Sequence, residues 1–322
     1  MNAETAPGIT RRDLLAAAAL THWGCSRTTV QATRPASPVS ILKASSYSAD
    51  LLSILTQGAQ QCGLEVRGQR VLIKPNLVEF DYHTCINTNP VLIQAAYEML
   101  RRLGASEVLI GEGPGHRRDT LALAEEAGYF STVSRFEQRF IDLNRDDVAP
   151  APGFLEDQKE IYLPKTALAA DLIVSMPKMK THHWAGATLS MKNYFGLVPG
   201  GVYGWPKNPL HYVGIDKSIV ELNRIFRRNF AIVDGIVGME GNGPIQGTPK
   251  HAGVIVMGPD LVAVDATCCR IMSIEPARIH YLESAAGLGN LKAERIDLRG
   301  ETLGAVRQTF QLIQTFAHLR LS

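Results

Sequence analysis

The sequence contains no CxxC pair and no CxxCxxC run, which argues against an iron–sulfur cluster held by cysteines. Its five cysteines, Cys25, Cys62, Cys85, Cys268 and Cys269, are odd in number, which excludes a complete disulfide framework. No block of Lys and Arg dominates any stretch and the net charge is only +2, so a nucleic-acid footprint is not supported. GxGxxG, a P-loop and the spaced carboxylates of an EF-hand are missing too, so no motif announces nucleotide or calcium binding. The weakly apolar stretch from Leu14 to Leu20 is too short to cross about 30 Å of hydrocarbon.

That stretch follows Arg11 and Arg12 in "ITRRDLLAAAALTHWGCS", which looks like a twin-arginine export signal. Residues 1–35 are therefore set apart as signal and start of a Pro/Ser/Thr-rich linker, with the twin-arginine export machinery as an expected partner. Cys25 after Gly24 resembles a lipoprotein acceptor, whereas His22 stands where a small aliphatic residue is usual. A periplasmic protein and a membrane-attached lipoprotein anchored at Cys25 both stay open. Twin-arginine systems carry folded cargo, which suits a protein that takes up a cofactor before export.

Residues 36–322 alternate short apolar runs with amphipathic patterns. "VSILKAS", "RVLIKPNLV", "SEVLIGEG", "DLIVSMP", "FAIVDGI" and "AGVIVMG" read as strands, with helices between several of them. Continuous apolar runs fit strands covered on both faces. The expected fold is α/β, one domain or two lobes, with a mostly parallel sheet flanked by helices. A ligand cleft is expected at the carboxyl ends of the strands, where loops converge. Four of those ends carry unusual polar residues: Lys74 and Asn76 closing "VLIKPN", "GEGPGHRRDT" after "SEVLI", the Lys/His segment after "DLIVSMP", and Asp234 closing "FAIVD".

Each has a structural reading beside the functional one. Lys74 interrupts an apolar run, and a desolvated lysine needs a counter-charge. It is either an anion ligand or half of an internal salt bridge with Glu79 or Asp81. Asn89 should cap the helix that begins at Pro90. In "GEGPGHRRDT", glycines let the backbone approach a ligand and a helix N-terminus favours an anion, which brings in His116 and Arg117. A tight turn with solvated arginines explains the same residues, and Asp119 or Thr120 can cap the helix that follows. "KMKTHHWAGATLSMKNYFGLVPG" gathers Lys178, Lys180, Lys192, Asn193, His182 and His183 among small and aromatic residues. Adjacent histidines on regular structure point apart, so at most one of His182 and His183 is expected to face a site; either suits proton transfer. A desolvated Lys192 suits a base, an imine-forming nucleophile or a phosphate anchor. His211 precedes an amphipathic helix. Asp260 reads as a cap, and Asp265 as inward-facing and paired.

In order along the chain, "VLIKPNLV", "GASEVLIGEGPG", "MPKMKTHHWAGATLSMKNYFGLVPG", "IVDGIVGMEGNGPIQGTP" and "LVAVDAT" resemble the family of domain of unknown function 362. A more distant similarity is to nickel-pincer lactate racemases: "GHRRDT", "HHWAGATLSMKNYFGLVPG" and a later histidine. That resemblance implies proton-exchanging roles for His116 and His182, cofactor attachment for Lys192 and metal ligation for His211. "TLSMKN" departs from the racemases' glycine-rich turn before the lysine.

The expected function is therefore a cofactor- or metal-dependent enzyme acting on a small anionic molecule, racemase-like or redox, with His116, His182 or His183 as acid/base. Lys74, Asn76, Arg117, Lys180, Lys192 and Asn193 would hold the anion or a nickel-pincer-like nucleotide, and His211 or Asp234 a metal. The alternative is a non-catalytic binding or redox-accessory protein using the same cleft.

Overall fold

All six apolar runs are strands in the computed structural model, which describes residues 34–115, 119–155 and 158–321. The expected export signal, Cys25, His116 and Arg117 lie outside the described residues. Ala36–Ser322 is one unit. Its strands are β1 (Ser37–Lys43), β2 (Arg70–Pro75), β3 (Glu107–Glu112), β4 (Phe140–Asp142), β5 (Val148–Pro152) and β6 (Glu160–Pro164). They continue with β7 (Leu172–Met176), β8 (Lys178–His182), β9 (Gly186–Thr188), β10 (Asn229–Glu240), β11 (Thr248–Gly258) and β12 (Ile296–Gly300).

The main sheet runs in the order β12-β1-β11-β10-β7-β2-β3-β4. Pairing is parallel from β10 through β7, β2 and β3 to β4, whereas β11 runs antiparallel to both its neighbours. Beyond Pro177 the chain continues as β8, which lies on the β7 side of β10 and carries β9 as an antiparallel flap. β5 and β6 form a separate hairpin.

The strands are uniformly apolar because two cores, one on each face, claim alternate residues. Val71 and Ile73 join Leu55 and Ile93 of helices α1 (Leu51–Gln61) and α2 (Pro90–Arg102). Leu72 between them faces the opposite core with Leu222 of helix α4 and Val264 of helix α5. Those helices span Ile215–Ile225 and Leu261–Ile271, and α3 spans Thr120–Glu126. The expected caps form. Asn89 Oδ1 accepts from Val91 N at 2.9 Å, Asp119 Oδ1 from Leu121 N at 2.9 Å, and Asp260 Oδ1 from Val262 N at 3.0 Å. These fixed helix starts set where the loops at the strand ends emerge.

Candidate functional site

A cavity of about 660 Å³ lies beyond the carboxyl ends of β2, β3 and β8. Its floor is an ion pair that β2 and β3 create by placing Lys74 and Glu112 side by side. Lys74 Nζ donates to Glu112 Oε2 at 2.5 Å, to Asn193 Oδ1 at 3.0 Å and to Pro75 O at 2.8 Å. The carboxylate also accepts from the backbone N–H groups of Leu77 at 3.0 Å and Gly113 at 2.9 Å. Both partners are buried, so each charge is compensated where water is excluded. Asn193 closes the network by donating to Lys74 O and Ser175 Oγ. Gly196 passes so close that a Cβ there would collide with Glu112 and Lys74.

Three further lysines line the cavity, and among the described residues none has a carboxylate within ion-pair distance. The buried Lys180 ammonium donates to Ile86 O at 2.8 Å and Pro244 O at 3.3 Å, joining the loops after β2 and β10. Burial, then the charges of Lys192 and Lys178, holds its pKa well below the usual lysine range. Lys207 does the equivalent across the cavity, donating to Gly113 O at 2.6 Å and Phe195 O at 3.2 Å. Burial brings it down to about 7, with Glu112 opposing. Lys192 opens the short 3-10 turn Lys192–Leu197, and its ammonium has no hydrogen-bond partner among the described residues. Its ammonium sits 4.7 Å from the Phe195 ring centroid, and burial followed by the Lys74 charge lowers its pKa to about 8. Asp265 of α5 fixes this turn by accepting from Ser190 N, Ser190 Oγ and Met191 N.

β8 ends at His182, and the turn that follows folds both histidines against the cavity with rings stacked 5.0 Å apart. His182 Nδ1 accepts from Trp184 N at 2.9 Å and Ala185 N at 3.1 Å, so the proton of the neutral ring is on Nε2. Burial and then the Lys192 charge press its pKa far down and keep it neutral. His183 Nδ1 lies 2.8 Å from Gly243 O, a pure acceptor, so Nδ1 carries the proton and Nε2 of the neutral ring is a free base. His211 stands at 5.5 Å from Trp184 and 6.1 Å from Phe195, ring to ring. Burial, followed by Lys192, lowers its pKa.

The description "Domain of unknown function (DUF362)" belongs to the family profile that matches residues 71–270, more than half of the chain. The chain belongs to that family. Among curated proteins it is 28% identical over 263 residues to Thylakoid-associated protein sll1697 of Synechocystis sp., covering 78% of this chain and 79% of that one. Among solved structures, the lactate racemase apoprotein from Thermoanaerobacterium thermosaccharolyticum matches with a TM-score of 0.43 at 13% identity, covering 74% of this chain. A Thermotoga maritima protein matches with a TM-score of 0.38 at 16% identity, covering 77% of this chain. The chain spans 57% and 61% of those two structures.

In this DUF362 protein, Lys74, Asn76, Lys180, Lys192 and Asn193 all line the one cavity, as do His182, His183 and His211. Three expectations need correction. Both histidines of the adjacent pair reach the cavity, because the strand ends between them and the two-faced alternation ends with it. Lys74 pairs with Glu112 rather than Glu79 or Asp81. Asp234 lies within β10, which continues to Glu240, and is remote from His211 in role. Its carboxylate is fully engaged with Lys178 Nζ at 2.6 Å, Tyr47 Oη at 2.8 Å and Asn89 N at 3.0 Å. Glu112 and Lys207 were not singled out from sequence. Glu112 hides in a glycine-rich turn, and "WPKNP" reads as an exposed loop.

Proposed function

We propose that this cavity binds a small anionic molecule and that the histidine pair moves a proton on it. The observation that carries this reading is the excess of lysine over carboxylate: Lys192 is half-buried, Lys180 and Lys207 are buried, and none has a carboxylate partner among the described residues, while Glu112 is already neutralised by Lys74. Burying such a cation alone costs several kcal/mol, and a bound anion offsets that cost. His183 Nε2 would act as the base, and His182 Nε2–H as a neutral donor that steadies charge developing on the substrate; the hydrogen bonds at their Nδ1 atoms support these roles.

A metal held by side chains alone does not fit, since among the described residues no group of three His, Cys, Asp or Glu is placed to hold one. A nickel-pincer-like nucleotide needs less from the protein, one amine and one imidazole. Lys192 and His211, both packed against the Phe195 ring, supply that pair. Bound there, the group would add redox chemistry. The relative's name, which associates it with thylakoids, supports a membrane-proximal setting, which the chain would reach by the twin-arginine route with residues 1–35 as its signal.

The test is calorimetric titration with inorganic phosphate and with lactate, followed by NMR of lactate in deuterated water. Binding with Cα–H exchange supports the enzyme, and binding without exchange for any hydroxy or keto acid tried leaves a binding protein. Absence of anion binding ends the proposal. Mass spectrometry of natively exported chain reads any adduct on Lys192 separately.

A further inference from the structure

Lys180 and Lys207 are tied to different loops of the cavity. Lys180 is on β8, which prolongs the line of β7, and its ammonium joins Ile86 O to Pro244 O. Lys207 is tied to Gly113, the residue after β3, and to Phe195. In the sheet β7 and β3 are separated by β2 alone, two strand spacings or roughly 10 Å. Each ammonium has two carbonyl acceptors, so each keeps one N–H for a ligand. Lys192 and the neutral Lys74–Glu112 pair line the same cavity, which thus holds three lysines without a carboxylate partner among the described residues. One small monoanion can meet only one end of such a span.

We propose that the ligand carries two anionic groups held apart, one received by Lys180 and the other by Lys207, with Lys192 between them. This rests on the anion-binding reading above and narrows it to a class: an elongated dianion such as a dicarboxylate, a phosphorylated acid or a bisphosphate. A cavity of about 660 Å³ is within the range of sites that take ligands much larger than a single phosphate or lactate. The carbonyls that grip each ammonium belong to loops on different strands, so both ends of the site are set by the sheet rather than by one mobile loop.

The probes are α,ω-alkanedioates from succinate to sebacate, with butyrate as the monoanion, titrated by calorimetry at pH 6.5 and low salt. The expected result is a length optimum at which the dianion binds at least tenfold more tightly than butyrate. Lys207→Met and Lys180→Met should each bring that dianion down to the butyrate level, and Lys207→Arg should recover most of the loss. Equal binding of butyrate and every dianion overturns this inference while leaving the anion site standing. Failure of all of them to bind overturns the site itself. Should a methionine variant not fold, the length series on the unaltered protein decides alone.

Discussion

Lys74 Nζ lies 2.5 Å from Glu112 Oε2, and neither side chain is more than 2% exposed. Adjacent parallel strands bring them together from 38 positions apart, and both residues line the cavity. Glu112→Gln should therefore lose about 3–5 kcal/mol of unfolding free energy, the usual cost of leaving one member of a buried pair uncompensated. The double variant Lys74→Met, Glu112→Gln should recover part of it, since the amide oxygen can still accept from the Leu77 or Gly113 N–H. Urea unfolding followed by circular dichroism measures both; equal losses in the single and the double variant would contradict the pair.

Gly196 bears on the same contact from the cavity side. A methyl group there has no room between Glu112 and Lys74, so Gly196→Ala should cost about 1–3 kcal/mol through forced displacement of the pair. Placed on the Lys74→Met background, the same change should cost distinctly less, because the two perturbations share a contact. Additive losses in that cycle would show that Gly196 acts on something else.

How far the sequence discloses these relationships depends on their range. The strands were readable because burial on both faces leaves a continuous apolar run, and the caps at Asn89, Asp119 and Asp260 because capping is local chemistry. Lys74 announced that it needed a partner but not which one, since Glu112 becomes its neighbour only when β2 and β3 pair. Asp234 looked like a strand end because the apolar run thins there, yet the main-chain ladder with β11 continues past it to Glu240. Lys207 was invisible for a different reason. Its burial comes from the approach of two distant glycine-containing loops, which no periodicity encodes.

His182 offers a local test of the proton assignment. Its Nδ1 is the acceptor for two backbone N–H groups, Trp184 and Ala185, that begin the turn into β9. His182→Phe leaves both without that acceptor and should cost about 1–3 kcal/mol. His182→Asn, whose side-chain oxygen can take the Nδ1 position, should retain most of the stability while losing the Nε2–H donor. Thermal melting separates the two variants, and nitrogen-15 shifts of the His182 ring should show the Nε2–H tautomer near neutral pH. A ring protonated at Nδ1 would refute the arrangement.

The lysines predict opposite pH trends for binding and for folding. Burial first of all lowers Lys192 from 10.5 to about 8 and Lys207 to about 7. An anion is held by the protonated amines, so its affinity should fall as pH rises from 6 to 9. Binding near pH 8 should take up protons, seen as a buffer-dependent heat in calorimetry. The ligand-free protein should behave in reverse. From about pH 7 up to the ordinary lysine value of 10.5 the unfolded chain binds more protons at these two amines than the folded chain does, so their contribution to stability rises with pH. Above the ordinary thiol value of 9.0 the buried thiols, raised by burial, work in the opposite sense. Lys192→Met and Lys207→Met should each flatten both trends, and together should leave only the uptake that Lys180, also lowered by burial, can supply. Uptake undiminished in the double variant would place the titrating groups elsewhere, with the histidines next in line.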